Sequence, residues 1–257
     1  MRARAALGLA LGLALRAQEA DRPWSVDAHL FAPSIGGHLQ GVTGGNAFNV
    51  DLNGDLGLSR DRSDPGFALE YQGPRFGLAL SWDQQHYAGS NLLGRDITVN
   101  GRTFQAGTVV TSSGLAAATT LDGTFRALTW PGAWAGLDLG VRATTLKLDT
   151  SGTAGFPGVT AQASYRTTLP MPQAGPSAGF TLLDGRLAGR AWVHLLAYRG
   201  ATYNRLGFDL RYFPLPWLGV RVFADSERIR VPNGTLREGL DFTLDRTGTG
   251  VGIVARF

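Results

Sequence analysis

No cysteine occurs in the 257 residues, which excludes both a disulfide framework and a lipid-anchored cysteine, so stability must come from another source. Beyond the first twenty residues no apolar run is long enough for a helix to cross a bilayer. A membrane span, if present, has to alternate apolar with polar positions. No Pro- or Ser-rich linker divides the chain, which favours one large domain over two small ones. Lysine is nearly missing: Lys147 is the single one, and Lys plus Arg number 24 against 20 Asp plus Glu. The arginines are scattered rather than gathered on one element, so no nucleic-acid partner is expected.

What is present begins with a basic, then apolar, N-terminus. Arg2 and Arg4 precede the apolar stretch Ala5 to Leu15, and Arg16, Ala17, Gln18, Glu19 and Ala20 follow. That order predicts a secretory signal peptide over 1–20, cleaved after Ala17 or Ala20, and an exported domain over 21–257.

From there to the end, apolar and polar residues alternate in segments close to the nine to eleven residues a tilted membrane strand requires. Trp24, Val26, Ala28 and Leu30 oppose Ser25, Asp27, His29 and Phe31. Phe67, Leu69 and Tyr71 lead through Gly73-Pro74 into Phe76, Leu78, Leu80 and Trp82. Two more strands run from about Ser113 to Leu128 and from Ala133 to Leu148. A weaker one, about Gln162 to Leu182, holds Pro170, Pro172 and Pro176, which predict bends or a shifted register. Segments around Leu187–Leu195, Leu206–Tyr212, Leu218–Ala224 and Thr247–Phe257 complete a set of about ten strands, within a range of eight to twelve. Short connections at Gly73-Pro74, Thr129–Gly132, Leu183–Gly185 and Phe213–Pro216 alternate with long ones at Pro33–Pro65, Ala88–Val110 and Asp149–Ala161. In the second long one, Asn100-Gly101 predicts a hairpin that carries its strands beyond the membrane.

The closing segment TGTGVGIVARF ends on Phe257 at the carboxylate. This resembles the last strand of Gram-negative outer-membrane barrels, where the ending is read by the barrel-assembly machinery. The architecture is similar to that of small outer-membrane barrels of the OmpA or OmpW kind. The resemblance implies an all-β fold, a closed antiparallel transmembrane β-barrel with short periplasmic turns and long extracellular loops, in contact with outer-membrane lipid and lipopolysaccharide.

Aromatics fall near the strand ends that face the short turns. Trp24, Tyr71, Phe76, Trp130, Trp134, Tyr212, Trp217 and Phe257 form the expected periplasmic girdle. A thinner set, Phe31, Tyr87, Tyr165, Tyr198 and Tyr203, is expected at the other rim.

If apolar rows face lipid, the polar rows face the lumen: Asp27, Glu70, Asp83, Asp122, Arg126, Asp138, Arg142, Arg190, Asp209, Arg211, Arg221, Asp225 and Arg256. At ten strands the bore is only slightly wider than side chains can fill, so opposite charges are expected to cross-link and plug it. A narrow polar passage for small solutes is the alternative.

A barrel-embedded hydrolase competes with both. Asp27-Ala28-His29 places a carboxylate and an imidazole on one strand face, a spacing similar to the Asp-x-His pair of omptin proteases. Here it stands on the first strand without facing aspartates, and His86 and His194 have no serine partner that the sequence can place. No catalytic residue is therefore assigned.

Asp51-Leu52-Asn53-Gly54-Asp55 partly matches a calcium loop, but Gly57 is displaced and Arg62 stands where a bidentate Glu belongs, so a solvated acidic loop is expected, with no metal and no cofactor. Gly248, Gly250 and Gly252 are read as small lumen-facing residues rather than a nucleotide loop. Arg60, Arg62, Arg95 and Arg102 in the long loops are available for lipopolysaccharide phosphates. A soluble exported barrel holding a lipophilic ligand is the third reading.

Overall fold

The computed structural model describes residues 22–43, 45–153, 160–198, 200–233 and 239–257. The segment 1–20, read as a signal peptide, lies outside the described residues. Regular structure among them is entirely strand: β1 (Trp24–Thr43), β2 (Asn46–Asp51), β3 (Ser59–Arg62), β4 (Pro65–Gln72), β5 (Phe76–Leu92), β6 (Ile97–Val99), β7 (Arg102–Phe104), β8 (Val109–Trp130), β9 (Ala133–Thr153), β10 (Thr160–Leu182), β11 (Leu187–Tyr198), β12 (Ala201–Leu215), β13 (Leu218–Val231) and β14 (Gly239–Arg256).

Ten of them form a ring in the order β1-β4-β5-β8-β9-β10-β11-β12-β13-β14, each antiparallel to its neighbours. β14 returns to β1 in one unbroken register from Ser25↔Arg256 to Val42↔Gly239. An even number of up-and-down strands lets the first and last meet antiparallel, which leaves no free margin at that seam.

The alternation explains which face each residue takes. Leu69, Leu78, Leu80, Leu121, Leu137, Leu139, Val141, Phe208, Val220, Val222, Val251 and Ile253 all point outward and stay exposed. On β9 the outward row is apolar from Ala133 to Ala143. At about 3.3 Å per residue and about 40° of tilt that row stands roughly 25 Å tall, the height of a hydrocarbon band. An exposed apolar band of this extent has no place on a soluble barrel. Above it the same row continues as Thr145, Lys147, Asp149 and Ser151.

The inward face changes in the opposite sense. Within the band it is polar, whereas above the band it becomes a buried apolar cluster. Ile35 and Leu39 of β1, Leu146 and Leu148 of β9, Ile229 and Val231 of β13, and Phe242 and Leu244 of β14 belong to it. Two connections fold into the mouth to complete this plug. The segment between β1 and β4 contributes Phe48, Val50, Leu52, Leu56 and Leu58, and that between β5 and β8 contributes Leu93, Ile97, Val99 and Phe104. Asn100 and Gly101 adopt left-handed φ of 48° and 75°, as a two-residue hairpin turn requires. The hairpin they close does not prolong the wall, contrary to expectation. It crosses the mouth, where Thr98 pairs with Asn49 of β2 and Asn100 Nδ2 donates to the Ser164 carbonyl of β10 at 2.7 Å.

The wall strands also run further than their apolar pattern shows, and β1, β5 and β9 continue to Thr43, Leu92 and Thr153. The prolines of β10 do not shift its register with β9, which runs unbroken from Thr160↔Thr153 to Phe180↔Ala133. Their effect is on the other side, where the β10–β11 ladder skips Gly175 and Pro176 and stops at Ala174. Pro170, Pro172 and Pro176 share one parity, so their missing N–H groups all belong to that same side.

Candidate functional site

The lumen gathers polar chemistry, and each wall strand brings a row of alternate residues to it. Asp27, Glu70, Asp138, Asp209, Asp225, Arg142 and Arg211 are all buried. Arg211 forms a two-pronged contact with Glu70 at 2.6 and 2.7 Å and reaches Asp209 at 2.9 Å. Arg221 bridges Asp209 at 2.6 Å and Asp27 at 2.9 Å. A second group lies nearer the plug: Glu227 accepts from Arg142 at 2.8 Å and Arg246 at 3.4 Å, and Asp83 accepts from Arg246 at 2.9 Å. Arg205 grips Asp225, and Arg190 donates to Asp138 at 2.6 Å. Asp122 meets the Gln173 amide, whose oxygen accepts from Tyr203 Oη at 2.9 Å.

The sequence pattern places thirteen charged residues inside, and these contacts link most of them across the bore. Arg205, Glu227 and Arg246 were missed. Each shares the parity of a predicted inner row and falls one to three residues beyond the strand end drawn from apolar alternation, so extending the rows would have found them. Counted together, eight carboxylates (Asp27, Glu70, Asp83, Asp122, Asp138, Asp209, Asp225, Glu227) meet eight guanidiniums (Arg126, Arg142, Arg190, Arg205, Arg211, Arg221, Arg246, Arg256). The cavity among Glu70, Asp83, Asp122, Arg142, Arg205 and Asp225 measures ≈ 80 Å³, room for a few waters.

Aromatic rings separate the charges. Arg221 lies 4.4 Å over Phe223, Arg256 3.3 Å over Phe213, and Arg190 and Arg205 flank Trp192 at 5.6 and 5.7 Å. Rings of this size fit because glycine stands opposite them. A Cβ on Gly250 would sit 2.2 Å from Phe223, and one on Gly207 would sit 2.1 Å from Trp192. The Gly248-x-Gly250-x-Gly252 run is thus steric clearance for its neighbours.

Not every aromatic goes where the girdle reading puts it. Trp24, Phe76, Trp130 and Tyr212 are exposed on the outer face at the short-turn end. A bulge between Arg126 and Leu128 keeps the first inward and turns Leu128 and Trp130 outward. Trp24 packs against Tyr71, and Phe257 exchanges backbone hydrogen bonds with Trp24. Trp217 accepts the Arg256 amide through its carbonyl. Trp134, however, has the parity of Asp138 and lies inward under Arg126, 4.9 Å from the guanidinium carbon. At the other rim, Phe31, Tyr87 and Tyr203 are buried inside rather than facing lipid, and Tyr165 packs on Phe48. The side chain of Tyr198 lies outside the described residues.

All four histidines are paired with an aspartate. His29 Nδ1 meets Asp27, His194 Nε2 meets Asp138 at 3.0 Å, His86 Nδ1 meets Asp64 at 2.6 Å, and His38 approaches Asp241 at 3.4 Å. Ser177 donates to Asp138 rather than to an imidazole, and among the described residues no serine hydroxyl is hydrogen-bonded to a histidine ring. In the first long connection, Asp51 accepts from the amides of Asn53 and Gly54, and Asp55 pairs with Arg95. These carboxylates fasten the turn that carries Leu52 and Leu56 into the plug. Arg62 is held by Asp64 at 3.2 Å, while Arg60 and Arg102 make no ion pair among the described residues.

No family model and no curated protein matches the sequence. Solved structures do match. The outer-membrane protease OmpT of Escherichia coli superposes with a TM-score of 0.57 at 11% identity, over 95% of this chain and 100% of that one. The translocator domain of the autotransporter NalP from Neisseria meningitidis matches at 12% identity and a TM-score of 0.44, over 100% of this chain and 96% of that one. OprG from Pseudomonas aeruginosa matches at 11% identity and a TM-score of 0.30, over 91% and 95%. At such identities the likeness is one of fold. The chain has the fold of an outer-membrane β-barrel.

Proposed function

We propose that this barrel is closed to solutes and acts at its outer surface, as a structural or surface-interacting protein of the outer membrane. The observation that carries the reading is the succession of two fillings along one bore, a cross-linked charge network within the membrane band and an apolar plug above it. A channel needs a continuous wet path, and the apolar cluster of Leu39, Leu52, Phe104 and Phe242 interrupts one. Planar-bilayer recording on pure refolded protein tests this. The expected record is flat, and reproducible conductance steps would overturn it.

The same plug bears on catalysis. Asp27 is shared between His29 and Arg221, beneath the apolar cluster, which stands between the imidazole and the outer surface. The pair is read as part of the charge network. His29→Ala should leave any hydrolysis of peptides or lipids unchanged, and its loss would restore the hydrolase reading. Arg60 and Arg102 are the loop cations left for lipopolysaccharide phosphate, because Arg62 and Arg95 already hold carboxylates.

A further inference from the structure

The charge balance of the lumen is even in total but not in place. Asp27, Glu70, Asp83, Asp138, Asp209, Asp225 and Glu227 each hold at least one guanidinium within ion-pair distance. Two of the eight lumen arginines have no carboxylate partner among the described residues, and both stand at the short-turn end. Arg126 donates to the Gln72 side-chain oxygen at 3.4 Å and covers Trp134. Arg256 donates to the Gly185 carbonyl at 3.1 Å and covers Phe213.

Around them lie two adjoining recesses with ≈ 40 and ≈ 20 Å³ of free space, which share Gln72, Trp134 and Arg190 in their walls. Four guanidiniums (Arg126, Arg190, Arg211, Arg256) and only two carboxylates (Glu70, Asp209) line the pair. Both carboxylates are already spanned by Arg211. The Nε atoms of Arg126 and Arg190 are buried and have no acceptor. A buried N–H without a partner is costly, and more so on a cation.

We infer that these recesses form an anion site at the periplasmic mouth, built for a phosphate-type oxyanion. Such a group would accept from the unsatisfied Nε–H donors and offset the two unmatched positive charges. Planar forks suit tetrahedral oxyanions, and Trp134 and Phe213 fix the planes of two of them. The phosphate could be inorganic or the headgroup of a lipid in the inner leaflet, whose chemistry toward the forks is the same.

Calorimetry on the full chain in phosphate-free detergent separates these sources, with inorganic phosphate in one arm and a short-chain phosphatidylglycerol below its micellar concentration in the other. Saturable binding in the first arm identifies free phosphate, and binding confined to the second identifies the headgroup. No saturable binding in either refutes the site. Arg126→Gln and Arg256→Gln, on different strands, should each weaken binding about tenfold or more, whereas Arg228→Gln, exposed and paired with Asp245, should not. Equal weakening by all three would also refute it. Should a variant fail to show the heat-modifiable gel migration of a folded barrel, the unaltered protein still decides. Whichever of the two ligands binds should slow phenylglyoxal modification at Arg126 and Arg256 but not at the exposed Arg228, and uniform rates with both ligands overturn the inference.

Discussion

Glu227→Ala is the sharpest test of whether the ion pairs hold the wall together. Glu227 is 3% exposed, and the two guanidinium groups on it are 2% and 1% exposed. With the carboxylate gone, Arg142 and Arg246 are left to Asp83, at 3.7 and 2.9 Å. One anion then serves two buried cations. Removing one partner of a buried pair costs about 3–5 kcal/mol, because the remaining charge stays out of water without compensation. Glu227→Gln keeps the shape and an acceptor oxygen, so it should cost less, about 1–3 kcal/mol. Replacing Asp83, Arg142, Glu227 and Arg246 together by apolar residues of similar size should come close to neutral or stabilise. Urea titration of the folded protein, read by gel migration with and without heating, measures this. With a slope of about 3 kcal/mol per molar, the midpoint for Glu227→Ala should fall by roughly 1–1.7 M. A midpoint shifted by less than about a tenth of that would show that the lumen is wet enough to screen its charges and that the pairs are not what holds these strands.

Gly207→Val should abolish folding, since its Cβ would meet the Trp192 ring, and adding Trp192→Ala should restore much of it. Failure of the pair to rescue, measured by the same gel assay, would show that the constraint is on backbone rather than ring. Outside the membrane band, hydrogen bonds from Lys147 and Ser164 hold the Asp149 carboxyl below its ordinary value of 3.8. A depressed folded value means that the stabilisation is present at neutral pH and disappears as the pH falls below 3.8 through the folded value. Both partners are half exposed, so the effect should stay under about 1 kcal/mol. Carboxyl titration by NMR in Lys147→Ala should move Asp149 upward, and an unmoved titration would show that the lysine contact does not matter.

The wall was legible because lipid imposes one rule along its whole height. Rows such as Leu137, Leu139 and Val141 against Asp138, Gly140 and Arg142 announce both a strand and its faces. The plug was hidden because the rule reverses where the membrane ends. On β14 the inner row reads Phe242, Leu244, Arg246, Gly248, and a search for one oily side and one wet side stops at the change. Hence Glu227 and Arg246, the deepest ion-pair partners, fell outside the strands drawn from pattern alone. The prolines of β10 misled for a related reason. Their cost depends on which neighbour lacks a rung, and a single strand does not display its neighbours. Trp134 was assigned by its nearness to a turn, although its parity with Asp138 already placed it inside.

The reciprocal bonds between Trp24 and Phe257, 2.9 and 3.2 Å, bring two positions far apart in the chain to adjacent places on the same rim. A short tether could therefore join them while the chain is reopened at the Leu183–Gly185 turn, giving a circular permutant with the same neighbours throughout the cylinder. In that molecule the phenylalanine no longer carries the free carboxylate. Its behaviour in living cells and in refolding from urea would separate a contribution to shape from a contribution as an address label.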